Sequence, residues 1–214
     1  MLTLAISTSA GQFALILGED SRIIFDSCDG EPAGGELDGL LSKGLHDCGK
    51  DIGEIAHIIV DTGPGGTSRV RTGVAFANSL SYSLHVPVCP VSSMELSGLD
   101  AGCRHHMPVV SSVKSIKGNA YVGFYDGQTE NGMKIEYGRI EDLVPRMVAG
   151  VREFVTVGAH REMIARLPAL KEKTVVDSGM QFGSARVLIE NSRLFTGRGL
   201  LFPEIALPVT EQTI

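Results

Sequence analysis

Apolar residues alternate with small or polar ones at the start of the chain, a spacing typical of half-buried β-strands. Leu2, Leu4 and Ile6 begin the alternation, and two further apolar runs follow at 13–18 and 22–27. The short segments TSAGQ and EDS separate the three runs. Because turns spaced this closely join antiparallel neighbours, the pattern predicts a three-stranded antiparallel meander.

Helical and strand patterns alternate over the rest of the first hundred residues. The spacing of apolar residues predicts helices over 37–48, 68–84 and 92–101, and strands over 57–62 and 86–91. This order does not match the repeated βαβ unit of a dinucleotide-binding fold. It matches the ribonuclease-H-like unit from which actin, hexokinase and the sugar kinases are built, and those proteins carry two such units in tandem.

The second half of the chain repeats this theme more weakly. Strands are predicted over 108–115, 119–126, 133–139, 152–158 and 173–179, and helices over 140–150, 159–167 and 182–191. The overall prediction is an α/β, two-lobe, actin-like (ASKHA, ribonuclease-H-like) fold. Its N-terminal lobe is expected over residues 1–102, and a less regular C-terminal lobe over residues 103–214.

Composition narrows the function classes. Hydrophobic residues make up 43% of the chain and charged residues 21%, as in an ordinary soluble domain, and no apolar run approaches the length of a membrane span. With a formal charge of −6, the chain lacks the excess of basic residues that a protein needs to bind nucleic acid by itself. The four cysteines lie far apart in the sequence, which disfavours a disulfide framework or a zinc site. We therefore expect a cytoplasmic protein without membrane contact.

The glycine-rich segment VDTGPGGTSRVRTGVAFA at 60–77 precedes a predicted helix. Backbone N–H groups at a helix N-terminus can hold a phosphate, which is one interpretation of this loop. The other is a tight turn whose helix is capped by Thr67 or Ser68. No lysine lies in the segment, so it is not a Walker A loop, and its glycine spacing is not that of a dinucleotide fingerprint. From the loop alone the tight turn is favoured.

The helix after this loop carries a stripe of small and apolar residues. Its members are Val70, Gly73, Val74, Ala77, Leu80, Ser81 and Leu84. The stripe has two interpretations: packing within the molecule against the 37–48 helix, or a subunit interface formed by the two helices. Periodicity alone favours packing within the molecule.

Groups that perform chemistry are sparse in the sequence. No two histidines have the i, i+4 spacing that places two metal ligands on one helical face, and there is no Gly-x-Ser-x-Gly nucleophile elbow. Actin-like phosphotransferases place an aspartate at the end of the first strand, where Ser7 stands in this chain. Serine is a poor ligand for a hard cation beside a carboxylate. The pattern indicates a nucleotide-binding fold without its catalytic groups.

Two stretches, LTLAISTSAGQFALIL at 2–17 and the segment 58–98, resemble the bacterial TsaB (YeaZ) family. The family carries Gly-Pro-Gly-Ser-Phe-Thr-Gly-Leu-Arg-x-Gly at a helix start. The matching positions here are Gly63, Pro64, Gly65, Arg71, Gly73 and Ala75, with Ser68 in place of the threonine. The departures are Ser7 for the usual aspartate, three changes at Gly66, Thr67 and Arg69, and a divergent C-terminal end.

The resemblance implies a specific function. TsaB-like proteins are inactive relatives of TsaD, which transfers a threonylcarbamoyl group from threonylcarbamoyl-AMP to N6 of an adenosine in tRNAs that read codons beginning with adenine. TsaD holds its metal with a His-x-x-x-His motif that this chain lacks. TsaB pairs with TsaD through its first two helices, a TsaE-like ATPase joins them, and isolated TsaB-like chains form self-dimers. No cofactor is expected on this chain, because ATP and metal belong to the partner subunits, and tRNA is expected to be bound indirectly.

With the resemblance, the stripe is interpreted as a partner face instead. The residues expected in that face are Leu37, Leu41, Val70, Arg71, Gly73, Val74 and Ala77. The residues of a vestigial phosphate loop are Gly63, Pro64, Gly65, Gly66 and Thr67. A large charged residue at Gly73 or Ala77 is expected to abolish pairing while the monomer stays folded.

Three alternatives stay open at this point. One is a nucleotide-dependent phosphotransferase or ATPase of the same fold, another is a glycopeptidase-like metalloprotein, and the third is a self-associating structural protein.

Overall fold

The computed structural model describes residues 1–9, 13–28, 37–126 and 133–210. The chain divides into two compact units. The first unit comprises 1–92 and 185–208, and the second comprises 93–184 with the end of the chain. Across the described ranges, no helix combines the length and the apolar character needed to cross a bilayer.

The elements follow one another in nearly the predicted order. The strands are β1 (Leu2–Ser7), β2 (Ala14–Glu19), β3 (Arg22–Asp26), β4 (Ile55–Asp61), β5 (Val88–Val91), β6 (Val109–Lys114), β7 (Ala120–Tyr125), β8 (Lys134–Gly138), β9 (Glu153–Gly158) and β10 (Thr174–Asp177). The α-helices are α1 (Leu37–Cys48), α2 (Thr67–Leu84), α3 (Ser93–His105), α4 (Ile140–Met147), α5 (Arg161–Ala165) and α6 (Arg186–Glu190).

The sheet of the first unit has the order β3-β2-β1-β4-β5. β1 pairs antiparallel with β2 and parallel with β4, which in turn pairs parallel with β5. Helices α1 and α2 pack on one face of this sheet, where apolar side chains from the strands and both helices form the core. The predicted meander and the two helices that follow it are therefore confirmed.

Residues 185–208 belong to the first unit, although they follow the whole second unit in sequence. Helix α6 packs on β1, β2 and β3, and Arg186 Nη1 donates to the buried Asp26 Oδ2 at 2.8 Å. Gly18 permits this close approach, because a Cβ atom at Gly18 would lie 2.1 Å from Ile189 Cγ2. The returning segment thus covers part of the sheet in the first unit.

The second unit repeats the strand arrangement of the first. Its sheet has the order β10-β9-β6-β7-β8, with β6, β7 and β8 antiparallel and β6, β9 and β10 parallel. Helix α3 contacts β6, β7 and β9, and α4 and α5 supply residues to an apolar core with Phe154. The weak internal repetition of the sequence therefore corresponds to a repeated fold.

The division between the units differs from the predicted boundary after residue 102. Helix α3 packs on the strands of the second unit, so that unit begins at Ser93. Residues 185–208 were expected in the C-terminal lobe, but they contribute α6 to the first unit. The single cut was wrong because the chain returns to the first unit after completing the second.

His57 lies on β4 in the interior of the first unit. Its side chain is 2% exposed, and neither ring nitrogen has a hydrogen-bond partner within the described part of the chain. A Cβ atom at Gly199 would lie 3.5 Å from its Nε2 atom, so Gly199 packs close to the ring. Burial lowers the pKa of His57, because a protonated imidazole would lose its hydration there.

We expect His57 to make the protein sensitive to acid. The unfolded chain gains a proton near its ordinary pKa of about 6.5, whereas the folded chain gains it only at a lower pH, so stability present above pH 6.5 is lost as the pH falls. Between pH 7.5 and 5.5, the wild type should lose more unfolding free energy than His57→Leu, by at most about 1 kcal/mol. Urea titrations at both pH values measure the difference. The exposed His46→Gln serves as the control, and equal pH dependence in all three proteins would contradict the expectation.

Candidate functional site

The glycine-rich loop lies where two parallel strands of the first unit end side by side. β1 ends at Ser7 and β4 ends at Asp61, and their register pairs Ile6 with Val60. The residues after β1 therefore face those after β4. The structure thus brings the strand-end serine and the vestigial phosphate loop into one place.

Asp61 is the centre of this site. Its side chain is 1% exposed, and its Oδ2 atom accepts hydrogen bonds from Ser7 Oγ at 2.7 Å and Ser9 Oγ at 2.5 Å. Its Oδ1 atom accepts a hydrogen bond from the Gly63 backbone N–H at 2.9 Å. Both carboxylate oxygens are therefore engaged by groups of the chain itself.

Two glycines allow the loop and α2 to pack closely against the end of β1. A Cβ atom at Gly65 would lie 2.6 Å from Ser9 Cβ, and one at Gly73 would lie 2.5 Å from Thr8 Oγ1. Thr8 Oγ1 donates a hydrogen bond to the Arg69 carbonyl oxygen in the first turn of α2. These contacts fix the start of α2 against β1.

The cap of α2 differs from the expectation. Thr67 is the first helical residue, and Gly66 is the N-cap, without a side-chain hydrogen bond to the helix. Thr67 and Ser68 are both exposed. The predicted cap by either hydroxyl is therefore wrong, and contacts with Thr8 and Ser9, which follow β1, hold this helix end instead.

The structure places most of the residues expected in the partner face in the interior of the first unit. Six of the seven are buried in the core of the first unit: Leu37, Leu41, Val70, Gly73, Val74 and Ala77. Only Arg71 is exposed. A side chain packed in the core has no surface to offer a partner, so the stripe serves packing within the molecule. A charged residue at Gly73 or Ala77 would consequently disrupt the fold.

The exposed side of α2 lies opposite this stripe. It consists mainly of small and polar residues: Ser68, Arg71, Thr72, Ala75, Ser79, Tyr82 and Ser83. Of the residues expected in the partner face, Arg71 alone lies on this side, because the expectation followed the apolar stripe. Sequence reasoning missed Ser9 as a partner of Asp61, although a hydroxyl two residues beyond Ser7 was a visible signal.

No group of three or more His, Cys, Asp or Glu side chains suited to a metal ion occurs in the part of the chain that the structure describes.

We expect Ser7→Ala and Ser9→Ala to destabilise the first unit. Each removes one donor from a buried carboxylate, at a cost of roughly 1–3 kcal/mol in unfolding free energy. The double variant should lose more than either single variant, because both hydroxyls donate to the same oxygen. Chemical denaturation measures the effect, with Ser79→Ala on the exposed side of α2 as the control. Serine variants as stable as that control would contradict this account of Asp61.

Comparison with known proteins gives two sequence matches. The family model described as "TsaD: tRNA N6-adenosine threonylcarbamoyltransferase" matches residues 36–192. The tRNA threonylcarbamoyladenosine biosynthesis protein TsaB of Bacillus subtilis (strain 168) is 35% identical over 102 residues. This alignment covers 47% of the chain and 40% of that relative, less than half of either.

Two solved structures from Pseudomonas aeruginosa share the fold. One is a protein described as similar to peptidase YEAZ, and the other is YeaZ. Their TM-scores are 0.78 and 0.75, respectively. Each alignment covers 98% of this chain, and it covers 98% of the first structure's chain and 99% of the second's. The sequence identity is 19% in both cases, so these structures show the fold alone. The predicted two-lobe, actin-like α/β fold is confirmed.

Proposed function

We propose that this chain is a non-catalytic partner of a TsaD-like subunit. The premise is that the chain belongs to the family of TsaD, the tRNA N6-adenosine threonylcarbamoyltransferases. The predicted resemblance to TsaB and YeaZ is confirmed by the relatives described above. In this proposal the pair forms N6-threonylcarbamoyladenosine in tRNA. The TsaD-like subunit holds the metal and performs the transfer, and this chain supports it.

The observation that carries the proposal is the state of Asp61. In a working phosphotransferase, carboxylates at strand ends remain available to a metal ion and to phosphate. Here the carboxylate is buried and accepts hydrogen bonds from Ser7, Ser9 and Gly63. A substrate would have to displace these groups, so the arrangement favours a structural role for the loop. This weighs against the alternative of a nucleotide-dependent phosphotransferase.

The exposed side of α2 is the part of the chain to which we assign the partner. The contacts of Thr8 with Arg69 and Gly73 hold the inner side of α2 against the chain after β1, and its outer side stays exposed. Ala75 and Ser79 lie at its middle, and their short side chains let another backbone approach closely. We assign ATP to a TsaE-like ATPase that joins the pair, and tRNA contacts to the complex. In isolation, the same surface mediates a self-dimer.

We expect Ala75→Arg to weaken pairing with the TsaD-like protein of the same cell at least 10-fold. Ala75 is exposed, so the arginine leaves the fold intact but obstructs close approach. The matched control is Ala165→Arg, at an exposed position at the end of α5. Size-exclusion chromatography with light scattering measures the complex, and thermal unfolding checks the fold. Undiminished pairing of Ala75→Arg would remove α2 from the interface.

A substitution in the buried stripe should behave differently. Ala77 is 0% exposed, so Ala77→Arg places a charge in the core, and we expect loss of folded protein. Circular dichroism and soluble yield measure this. A folded Ala77→Arg variant that has lost only its pairing would restore the original assignment of the partner face.

A further inference from the structure

The segment 201–207 exposes large apolar side chains at the surface of the first unit. Leu201, Phe202, Ile205 and Leu207 are 55%, 65%, 46% and 60% exposed. We call these four residues the C-terminal apolar strip. Such side chains are normal on a surface one at a time, but a continuous group marks a binding surface.

The strip is held in place by contacts on both sides. Leu200 exchanges two backbone hydrogen bonds with Val88 of β5, at 2.7 and 2.9 Å. The Asn78 side chain on α2 both donates to and accepts from the Ala206 backbone, each at 3.0 Å. Ala206 is 1% exposed and anchors the segment. The four apolar side chains therefore point outward from a fixed backbone.

The strip continues directly from the outer side of α2. The Tyr82 ring, which is 58% exposed, packs edge-on against the Phe202 ring with centroids 5.1 Å apart. Ala75, Ser79 and Tyr82 share one side of the helix at i, i+4 and i+7. Tyr82 and the strip thus present five large apolar side chains, each between 46% and 65% exposed, whereas such side chains on a monomer are usually scattered singly. One partner can therefore cover α2 and the strip at once.

Charge indicates what kind of partner this is. Glu204 is the sole ionisable residue in the sequence between 199 and 208. The first unit carries eight Lys and Arg against thirteen Asp and Glu, a formal charge of −5. A two-fold pairing of identical strips centred on Glu204 would place this carboxylate against its own copy, and the two first units would each bring a formal charge of −5. A different chain can place a cation there instead.

We propose that the C-terminal apolar strip is covered by the TsaD-like subunit, through an apolar surface that carries a Lys or Arg opposite Glu204. This inference rests on the proposed function, because it extends the surface assigned on α2. It adds a second contact, which the segment 201–207 supplies.

The test measures the dissociation constant between this chain and the purified TsaD-like protein by calorimetry. Phe202→Asp is compared with Ile116→Asp, an equally exposed residue (65%) in a turn of the second unit. We expect Phe202→Asp to weaken binding at least 10-fold and Ile116→Asp to leave it unchanged. Glu204→Lys should weaken binding as well, whereas Glu204→Gln should mainly reduce its dependence on salt. Thermal unfolding of each variant verifies the fold.

The outcomes separate this inference from the proposed function. If Phe202→Asp binds as the wild type does while Ala75→Arg does not, the strip is not in the interface and the pairing through α2 stands. If Phe202→Asp dissolves a homodimer but leaves the mixed complex intact, a second copy covers the strip and the inference is overturned. If the wild type itself does not pair with the TsaD-like protein, both the proposed function and the inference fall.

Discussion

The buried carboxylate of Asp61 is the interaction on which the first unit depends. It joins the ends of β1 and β4 through the hydroxyls of Ser7 and Ser9, and it fixes the turn through the Gly63 N–H. A buried carboxylate without such donors would be strongly destabilising, so the segments around it must stay together. In this chain, the residues that follow the strand ends thus bind one another.

This local arrangement determines where α2 begins and which side of it is free. With the close approaches of Gly65 to Ser9 and of Gly73 to Thr8, the stripe through Val74 and Ala77 must enter the core. The opposite side is left to solvent, and the segment 200–207 extends it through Asn78 and Tyr82. A loop placed like a phosphate site thus holds the start of α2. The proposed docking function uses the side of that helix that is left to solvent.

Most of the fold could be predicted from the sequence, because hydrophobic periodicity reports which side of each element is buried. The meander, the helices after it and the repeated arrangement in the second half all follow from that signal. The return of residues 185–208 to the first unit could not be predicted, since it depends on contacts such as Arg186 with Asp26. The burial of most residues expected in the partner face could not be predicted for a related reason. Small and apolar residues at helical spacing fit a core and an interface equally well, and the packing around Thr8 decides between them.

The central claim, that this chain lends a surface rather than chemistry, is tested most directly by N6-threonylcarbamoyladenosine formation on tRNA. The assay contains the TsaD-like protein, the TsaE-like ATPase, ATP, threonylcarbamoyl-AMP and tRNA. This chain is then added in increasing amounts. The account predicts that product formation rises until one chain is present per TsaD-like subunit. It also predicts no product from this chain without that subunit. Transfer by this chain alone, or an amount of product that does not change when the chain is added, would contradict the account.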